Sequence, residues 1–179
     1  MKILDLGCGK RKMSGAVGID SNPRSDADVI HDLNEFPYPF EDGEFNRVVA
    51  LNILEHLKEP LRVMEELHRI CKSGAAVHIE VPHYSSVDFY TDPTHEHPFA
   101  TRSFDYLVKG NPLFDFRYSD AEFAKREVRI TFSESDWGPL AKLLETAVNQ
   151  FPLFYETHLA FILTAHKVIF DLEVRKAHQ

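Results

Sequence analysis

The chain has 179 residues, of which 44% are hydrophobic, and this size and composition fit one soluble domain with a sizeable core. Its formal net charge is -8, which argues against a broad surface for nucleic acid or anionic membranes, so we expect a small-molecule partner. No apolar run approaches the ~20 residues of a membrane span and no signal peptide is recognisable, so we expect a cytoplasmic protein with no membrane attachment and with reduced thiols at Cys8 and Cys71.

The first twenty residues contain two predicted strands separated by a glycine turn. Lys2–Leu6 is a short apolar strand, and the segment Gly7–Gly9 ends it with two glycines, which permit unusual backbone angles and close approach to a ligand. A second strand, Ala16–Ile19, ends at Asp20. Because the carboxyl ends of parallel strands face the ligand crevice of an α/β sheet, we predict a cofactor site here.

The spacing of this turn is inconsistent with a dinucleotide-binding fingerprint. Lys12 occupies the place of the third glycine of Gly-x-Gly-x-x-Gly, and Asp20 follows Gly9 by 11 residues instead of roughly 20. Asp5, two residues before the first glycine, would repel a pyrophosphate but suits a ligand that carries a cationic amino group. The pattern therefore favours a different nucleotide-like cofactor.

Farther along, strand and helix patterns alternate up to residue 82. An apolar repeat from Leu57 to Cys71 predicts a helix that Gly74 stops, and the nine residues that begin at Gly7 leave room only for a helical stub. The stretch after residue 82 shows no regular pattern. Because it follows the carboxyl end of a predicted strand, we predict that it forms a substrate lid over the site. The remaining predictions are strands 28–31, 47–51, 75–81, 127–132 and 166–175, the last two paired antiparallel, and helices 101–109 and 140–148.

The strings DLGCG at Asp5–Gly9 and GID at Gly18–Asp20 resemble motif I and the acidic end of strand 2 in class I S-adenosylmethionine-dependent methyltransferases. The resemblance covers residues 2–82 and implies S-adenosyl-L-methionine as cofactor. It implies an α/β fold with a doubly wound, Rossmann-like, mostly parallel sheet and an antiparallel C-terminal edge strand. We recognise no domain boundary, and expect a single domain, 1–179, with a cofactor-binding half (1–82) and a lid and substrate half (83–179).

The same resemblance implies roles for residues at the strand ends. Asp20 would hold the two ribose hydroxyls, Asp32 would accept from the adenine amino group, and the backbone of Leu33 would lie beside the adenine ring. Lys10 would balance the methionyl carboxylate, although a solvated basic turn is the alternative. The cofactor-binding residues implied in this way are Asp5, Gly7, Cys8, Gly9, Lys10, Asp20, Ser21, Asp32, Leu33, Leu51 and Asn52.

Two histidines of the predicted lid are candidate catalytic bases. An unperturbed imidazole titrates near 6.5, so it can accept a proton at neutral pH. His83 is the first choice because it follows the predicted strand by two residues and has little freedom to leave the crevice, and His95 is the second. The alternative for His83 is a hydrogen bond to a turn carbonyl.

A metal-dependent O-methyltransferase is a further alternative. Glu55, His56 and His83 resemble, in placement, ligands of metal-dependent small-RNA and ubiquinone-pathway methyltransferases, in which an E-x-x-E-H string supplies the first ligands. Here Asn52 replaces the first glutamate, which removes a charged hard ligand. We therefore expect no metal site.

The function that the resemblance implies is methyl transfer to an oxygen or nitrogen of a small metabolite or sugar-like acceptor. The Asn/Asp-Pro-Pro-Tyr/Trp signature of amino-group nucleic-acid methylases is absent from the sequence, which argues against a nucleic-acid substrate. A non-catalytic cofactor-binding or regulatory subunit remains an alternative, because fold does not determine function. A homodimer is left open.

Overall fold

A seven-stranded sheet runs through the computed structural model, which describes residues 1–133 and 137–176. Its strands are β1 (Ile3–Leu6), β2 (Val17–Asp20), β3 (Val29–Ile30), β4 (Phe45–Leu51), β5 (Cys71–Pro82), β6 (Glu122–Ile130) and β7 (Lys167–Arg175). Their order is β3-β2-β1-β4-β5-β7-β6. The first five are parallel, and β7 runs antiparallel to both β5 and β6. The predicted mostly parallel sheet with an antiparallel C-terminal region is confirmed.

The described residues also form helices and short 3-10 turns. They are α1 (Pro60–Ile70), α2 (Val87–Thr91), α3 (Leu140–Gln150) and α4 (Pro152–His158), with 3-10 turns at Leu54–His56, Asp105–Leu107 and Pro112–Phe116. Within the described residues, no helix is both long enough and apolar enough to cross a membrane.

Helix α1 forms because its apolar residues recur at helical spacing and face the sheet. Val63, Met64, Leu67 and Ile70 are all fully buried. Burial of each such side chain contributes roughly 1.5 to 3 kcal/mol. Pro60 stands in the first turn, where its missing N–H costs nothing. The helix therefore anchors the parallel half of the sheet.

Several predicted elements have wrong boundaries or the wrong type. Strands β4 and β5 begin at Phe45 and Cys71 instead of 47 and 75, and β6 spans Glu122–Ile130 instead of 127–132. The Leu57–Cys71 helix ends at Ile70, because Cys71 is extended and pairs with Phe45 as the first residue of β5. No helical stub follows β1, since residues 7–16 are turns. The stretch 101–109 forms turns and a short 3-10 segment instead of a helix.

The parallel strands end side by side at one edge of the sheet. Leu6 of β1 pairs with Ile19 of β2 and with Ala50 of β4, so the residues that follow these three strands are neighbours. Leu51, the last residue of β4, pairs with Glu80 of β5. This edge carries the side chains that the sequence assigned to the cofactor site.

Candidate functional site

The glycine turn after β1 has a backbone that other residues adopt at a cost. Gly7 has φ +68° and Gly9 has φ +54°, both in the left-handed region. A Cβ atom on Gly7 would lie 2.5 Å from Cγ1 of Ile53, so the turn packs directly against the segment that follows β4. A Cβ on Gly9 would meet no atom within 4 Å. Gly9 thus borders open space at the sheet edge.

Asp5 lies beneath this turn and holds the chain that returns to β2. Its Oδ2 accepts a hydrogen bond from the Met13 backbone N–H at 2.7 Å. Burial raises the pKa of the Asp5 carboxyl, and the Met13 N–H and the Lys12 charge offset that effect only in part. Asp5 therefore shapes the turn, and its contact with a cofactor amino group stays a prediction.

Asp20 at the end of β2 closes the turn from the other side. Its Oδ2 accepts from the Gly9 N–H at 2.9 Å, and its Oδ1 accepts from the Asn22 N–H at 2.8 Å. A carboxylate has about four acceptor positions, so two remain for the hydroxyls of a ribose. The carboxylate that sequence assigned to the ribose thus also orders the loop around it.

The other residues of this loop differ in exposure. Lys10 and Ser21 are exposed at its surface. Lys12 pairs with Asp28 at 2.7 Å, and its aliphatic stem covers Gly18. Cys8 is buried beneath the loop, where burial and the nearby carboxylates raise its pKa to about 11. Its thiol is therefore protonated and unreactive at neutral pH.

The segment after β3 forms a second wall of the sheet edge. Asp32 is exposed, and its Oδ1 accepts from the backbone N–H and the side-chain amide of Asn34. The Leu33 carbonyl accepts from the Tyr38 hydroxyl at 3.0 Å, and Tyr38 is buried. Two α1 residues clamp Tyr38 in turn: Glu66 accepts from its backbone N–H, and Arg69 donates to its carbonyl. Helix α1 thus positions the segment that sequence assigned to adenine.

Tyr38→Phe should lower both stability and cofactor affinity through this clamp. It leaves the Leu33 carbonyl without its partner, at a cost of about 1 to 3 kcal/mol in the free energy of unfolding. We expect S-adenosylhomocysteine to bind several-fold more weakly by calorimetry, with urea unfolding measured alongside. The control is Tyr118→Phe, because Tyr118 is 58% exposed. Lost stability with unchanged affinity would separate Leu33 from the adenine site.

At the end of β4 the chain turns towards a neighbouring cavity. Leu51 is 43% exposed, and Asn52 has φ +51°, a left-handed conformation that Asn tolerates better than most residues. The Asn52 N–H donates to the Glu80 carbonyl at 2.8 Å. Asn52 lies between the glycine turn at the edge of the sheet and a cavity of about 470 Å³. The residues lining this cavity are Asn52, Glu55, His56, Pro82, Asp88, Thr91, Asp92, His95, His166 and Lys167.

Glu55 is the unusual group in this cavity, which we call the acceptor cavity after the role that we propose for it below. Its side chain is fully buried, and neither carboxylate oxygen has a hydrogen-bond partner. Burial raises the pKa of Glu55 to about 7, an effect that the nearby His95 and Lys167 offset only in part. His95 lies nearby, with Nε2 at 3.9 Å from Oε1 of Glu55.

His83 does not face the acceptor cavity. It is fully buried, its Nδ1 accepts from Ser85, and its Nε2 lies 3.4 Å from a carboxylate oxygen of Glu156. Glu156 also accepts from the backbone and hydroxyl of Thr101. Both nitrogens of His83 are committed to this network, whereas His95 lines the acceptor cavity. Sequence reasoning assigned no role to Lys167, the first residue of β7, or to His166, which directly precedes that strand.

The comparisons with known proteins agree with this fold. A family model described as a methyltransferase domain matches residues 1–161. A SAM-dependent methyltransferase from Archaeoglobus fulgidus superposes with a TM-score of 0.57 at 20% identity, over 97% of this chain and 86% of that chain. A chain from the complex between a Haloferax volcanii methyltransferase activator and a methyltransferase gives a TM-score of 0.60 at 17% identity, over 99% and 83%.

Haemonchus contortus phosphoethanolamine N-methyltransferase 2, solved with S-adenosyl-L-methionine, gives a TM-score of 0.56 at 15% identity, over 99% of this chain and 49% of that chain. No curated protein matches the chain in sequence. Because the family model covers most of the chain and the sheet has the strand order described above, the chain belongs to the methyltransferase domain family and has the class I fold of S-adenosylmethionine-dependent methyltransferases.

Proposed function

We propose that this protein binds S-adenosylmethionine across the carboxyl ends of β1 to β4 and transfers its methyl group to an oxygen or nitrogen of a small acceptor. The observation that carries the proposal is the adjacency of two features. The Gly7–Gly9 turn, closed by Asp20, lies at the end of β1, and the acceptor cavity opens at Asn52, at the end of the neighbouring strand β4. A methyl group held at the turn is therefore close to the cavity.

The cofactor roles follow the positions of the side chains. Asp20 binds the ribose hydroxyls with its remaining acceptor positions, and Asp32 with the Leu33 backbone binds the adenine. Lys10, exposed at the turn, approaches the methionyl carboxylate. Asn52 lies where the cofactor and the acceptor meet.

Methyl transfer requires the protein mainly to position the cofactor and the acceptor. Methyl transfer is an in-line displacement in which the cofactor departs as a neutral thioether, so holding two molecules in line and removing one proton suffices. His95 is the proton acceptor in this proposal. Its Nδ1 donates to the Phe89 carbonyl at 2.9 Å, which leaves the lone pair on Nε2, towards Glu55 in the cavity.

Asp20→Asn tests the cofactor site. The substitution removes a charged acceptor, and a charged hydrogen bond contributes about 1.5 to 3 kcal/mol, so S-adenosylhomocysteine should bind at least tenfold more weakly by calorimetry. Asp26→Asn is the matched control, because it removes the same charge from the same loop while its backbone N–H keeps its bond to the Gly9 carbonyl.

Equal affinities in the wild type and a folded Asp20→Asn variant would contradict the proposed site. Tight binding of S-adenosylhomocysteine by a protein that methylates no acceptor, with no small molecule entering the acceptor cavity, would favour the non-catalytic subunit instead.

A further inference from the structure

Three side chains with metal-ligand atoms converge in the acceptor cavity. One ligand atom each from Glu55, His56 and His95 lies within 4.8 Å of the others. In the part of the chain that the structure describes, the two Glu55 oxygens are the only buried side-chain polar atoms that lack a hydrogen-bond partner. Burying a carboxylate that has no hydrogen-bond partner costs free energy. We therefore expect a ligand to approach Glu55 from the cavity.

Hydrogen bonds fix the tautomers of the two rings. The Phe89 carbonyl can only accept, so His95 donates from Nδ1 and its neutral ring has the lone pair on Nε2. Thr94 donates its hydroxyl proton to Asp92 at 2.7 Å, so its oxygen accepts from His56 Nδ1 at 2.8 Å. The lone pair of His56 is therefore on Nε2 as well. Metal-bound histidines are typically oriented in this way, by a partner on the other ring nitrogen.

The backbone holds the two segments of this cluster together. The Glu55 carbonyl accepts from the N–H groups of Glu96 and His97, at 2.8 and 3.3 Å. The His97 ring also bonds the Lys58 carbonyl at 3.1 Å. The loop that carries His95 is thus docked on the turn that carries Glu55, and the cluster needs no large movement to form.

We propose that Glu55, His56 and His95 bind one divalent transition-metal ion of the Zn²⁺ type. Two neutral imidazoles and one carboxylate suit Zn²⁺ better than Mg²⁺, which prefers oxygen ligands. In a tetrahedral site the ligand atoms at about 2.1 Å from the ion lie roughly 3.4 Å apart, so a pair 4.8 Å apart would have to close by about 1.4 Å on binding. Three protein ligands leave a coordination position open for an acceptor.

The ion would also change how an acceptor is activated. A Lewis acid lowers the pKa of a bound hydroxyl, in the cavity where the proposed function requires a nucleophile, and this role rests on the proposed function. With Nε2 bound to the ion, His95 would have no lone pair for a proton, so the coordinated hydroxyl would ionise at the ion and release its proton to solvent. The sequence-based expectation of no metal rested on the replacement of the first glutamate by Asn52, with His83 as the third candidate ligand, whereas the structure brings His95 to Glu55 and His56.

Calorimetric titration of chelator-stripped protein with Zn²⁺, and with Mg²⁺ for comparison, tests the site. We expect one Zn²⁺ per chain and no binding of Mg²⁺ at the same concentration. Glu55→Gln and His95→Gln should each weaken Zn²⁺ binding by roughly 10-fold to 100-fold or more, because each removes a ligand. His158→Gln should keep the wild-type affinity, because His158 is exposed and does not line the cavity.

Zn²⁺ affinity that is equal in the wild type and Glu55→Gln would overturn the site. So would a loss in His158→Gln as large as that in His95→Gln, since the ion would then bind surface histidines. The affinity of S-adenosylhomocysteine, measured on the same stripped samples, keeps the two proposals apart. Glu55→Gln should leave this affinity unchanged. If S-adenosylhomocysteine bound to none of the samples, that result would count against the proposed function and not against the metal site.

Discussion

Glu55→Gln should stabilise the metal-free protein by about 3 kcal/mol at pH 8 and by less than about 1 kcal/mol at pH 5. The pKa of Glu55 is raised from 4.5 to about 7 by burial, and each unit corresponds to about 1.4 kcal/mol. Between pH 4.5 and about pH 7, Glu55 binds a proton in the folded protein and releases it in the unfolded chain. The free energy of unfolding therefore falls as pH rises through this range. Gln cannot ionise and escapes that loss.

The measurement is urea unfolding of both proteins at pH 5 and pH 8 in the presence of a chelator. The charges that face Glu55 are His95 and Lys167, which favour its ionised form, and Asp92, which disfavours it. Glu96→Gln is the control, because Glu96 is exposed and should give no pH-dependent difference from the wild type. Parallel stability curves for the wild type and Glu55→Gln would show that Glu55 titrates normally.

Gly7→Ala should lower the free energy of unfolding by roughly 2 to 5 kcal/mol. A left-handed backbone costs a residue with a Cβ about 1 to 2 kcal/mol, and the new Cβ would lie 2.5 to 2.9 Å from three side-chain atoms of Ile53. Overpacking of this kind costs typically 1 to 3 kcal/mol, and Ile is too stiff at χ1 to move away freely.

Gly15→Ala isolates the backbone part of that effect. Gly15 has φ +78°, and a Cβ there would meet no atom within 4 Å, so only the left-handed backbone contributes. Thermal and urea unfolding of both variants gives the difference. An equal loss of stability in the two variants would mean that Ile53 yields and that the turn does not pack against the segment after β4.

The glycine turn at the edge of the sheet was predictable because the residues that form it are close together in sequence. The two glycines of the turn and Asp20 lie within twenty consecutive residues, and parallel topology places the ends of successive strands side by side. Helix α1 was predictable for the same reason, since an apolar repeat at helical spacing decides which face is buried. Its end was not, because Cys71 leaves the helix to pair with Phe45, a partner that local periodicity does not specify.

The arrangement of the acceptor cavity depended on tertiary structure. His83 was expected to face the crevice because it closely follows β5, yet α4 brings Glu156 onto it from 73 residues away and buries it. His95 reaches the cavity because its loop docks on the Glu55 carbonyl. Sequence by itself determined the family, the parallel half of the sheet and the residues at its edge. Only the folded chain decided which histidine and which carboxylate share the cavity, because burial and hydrogen bonding there join segments that are far apart in sequence.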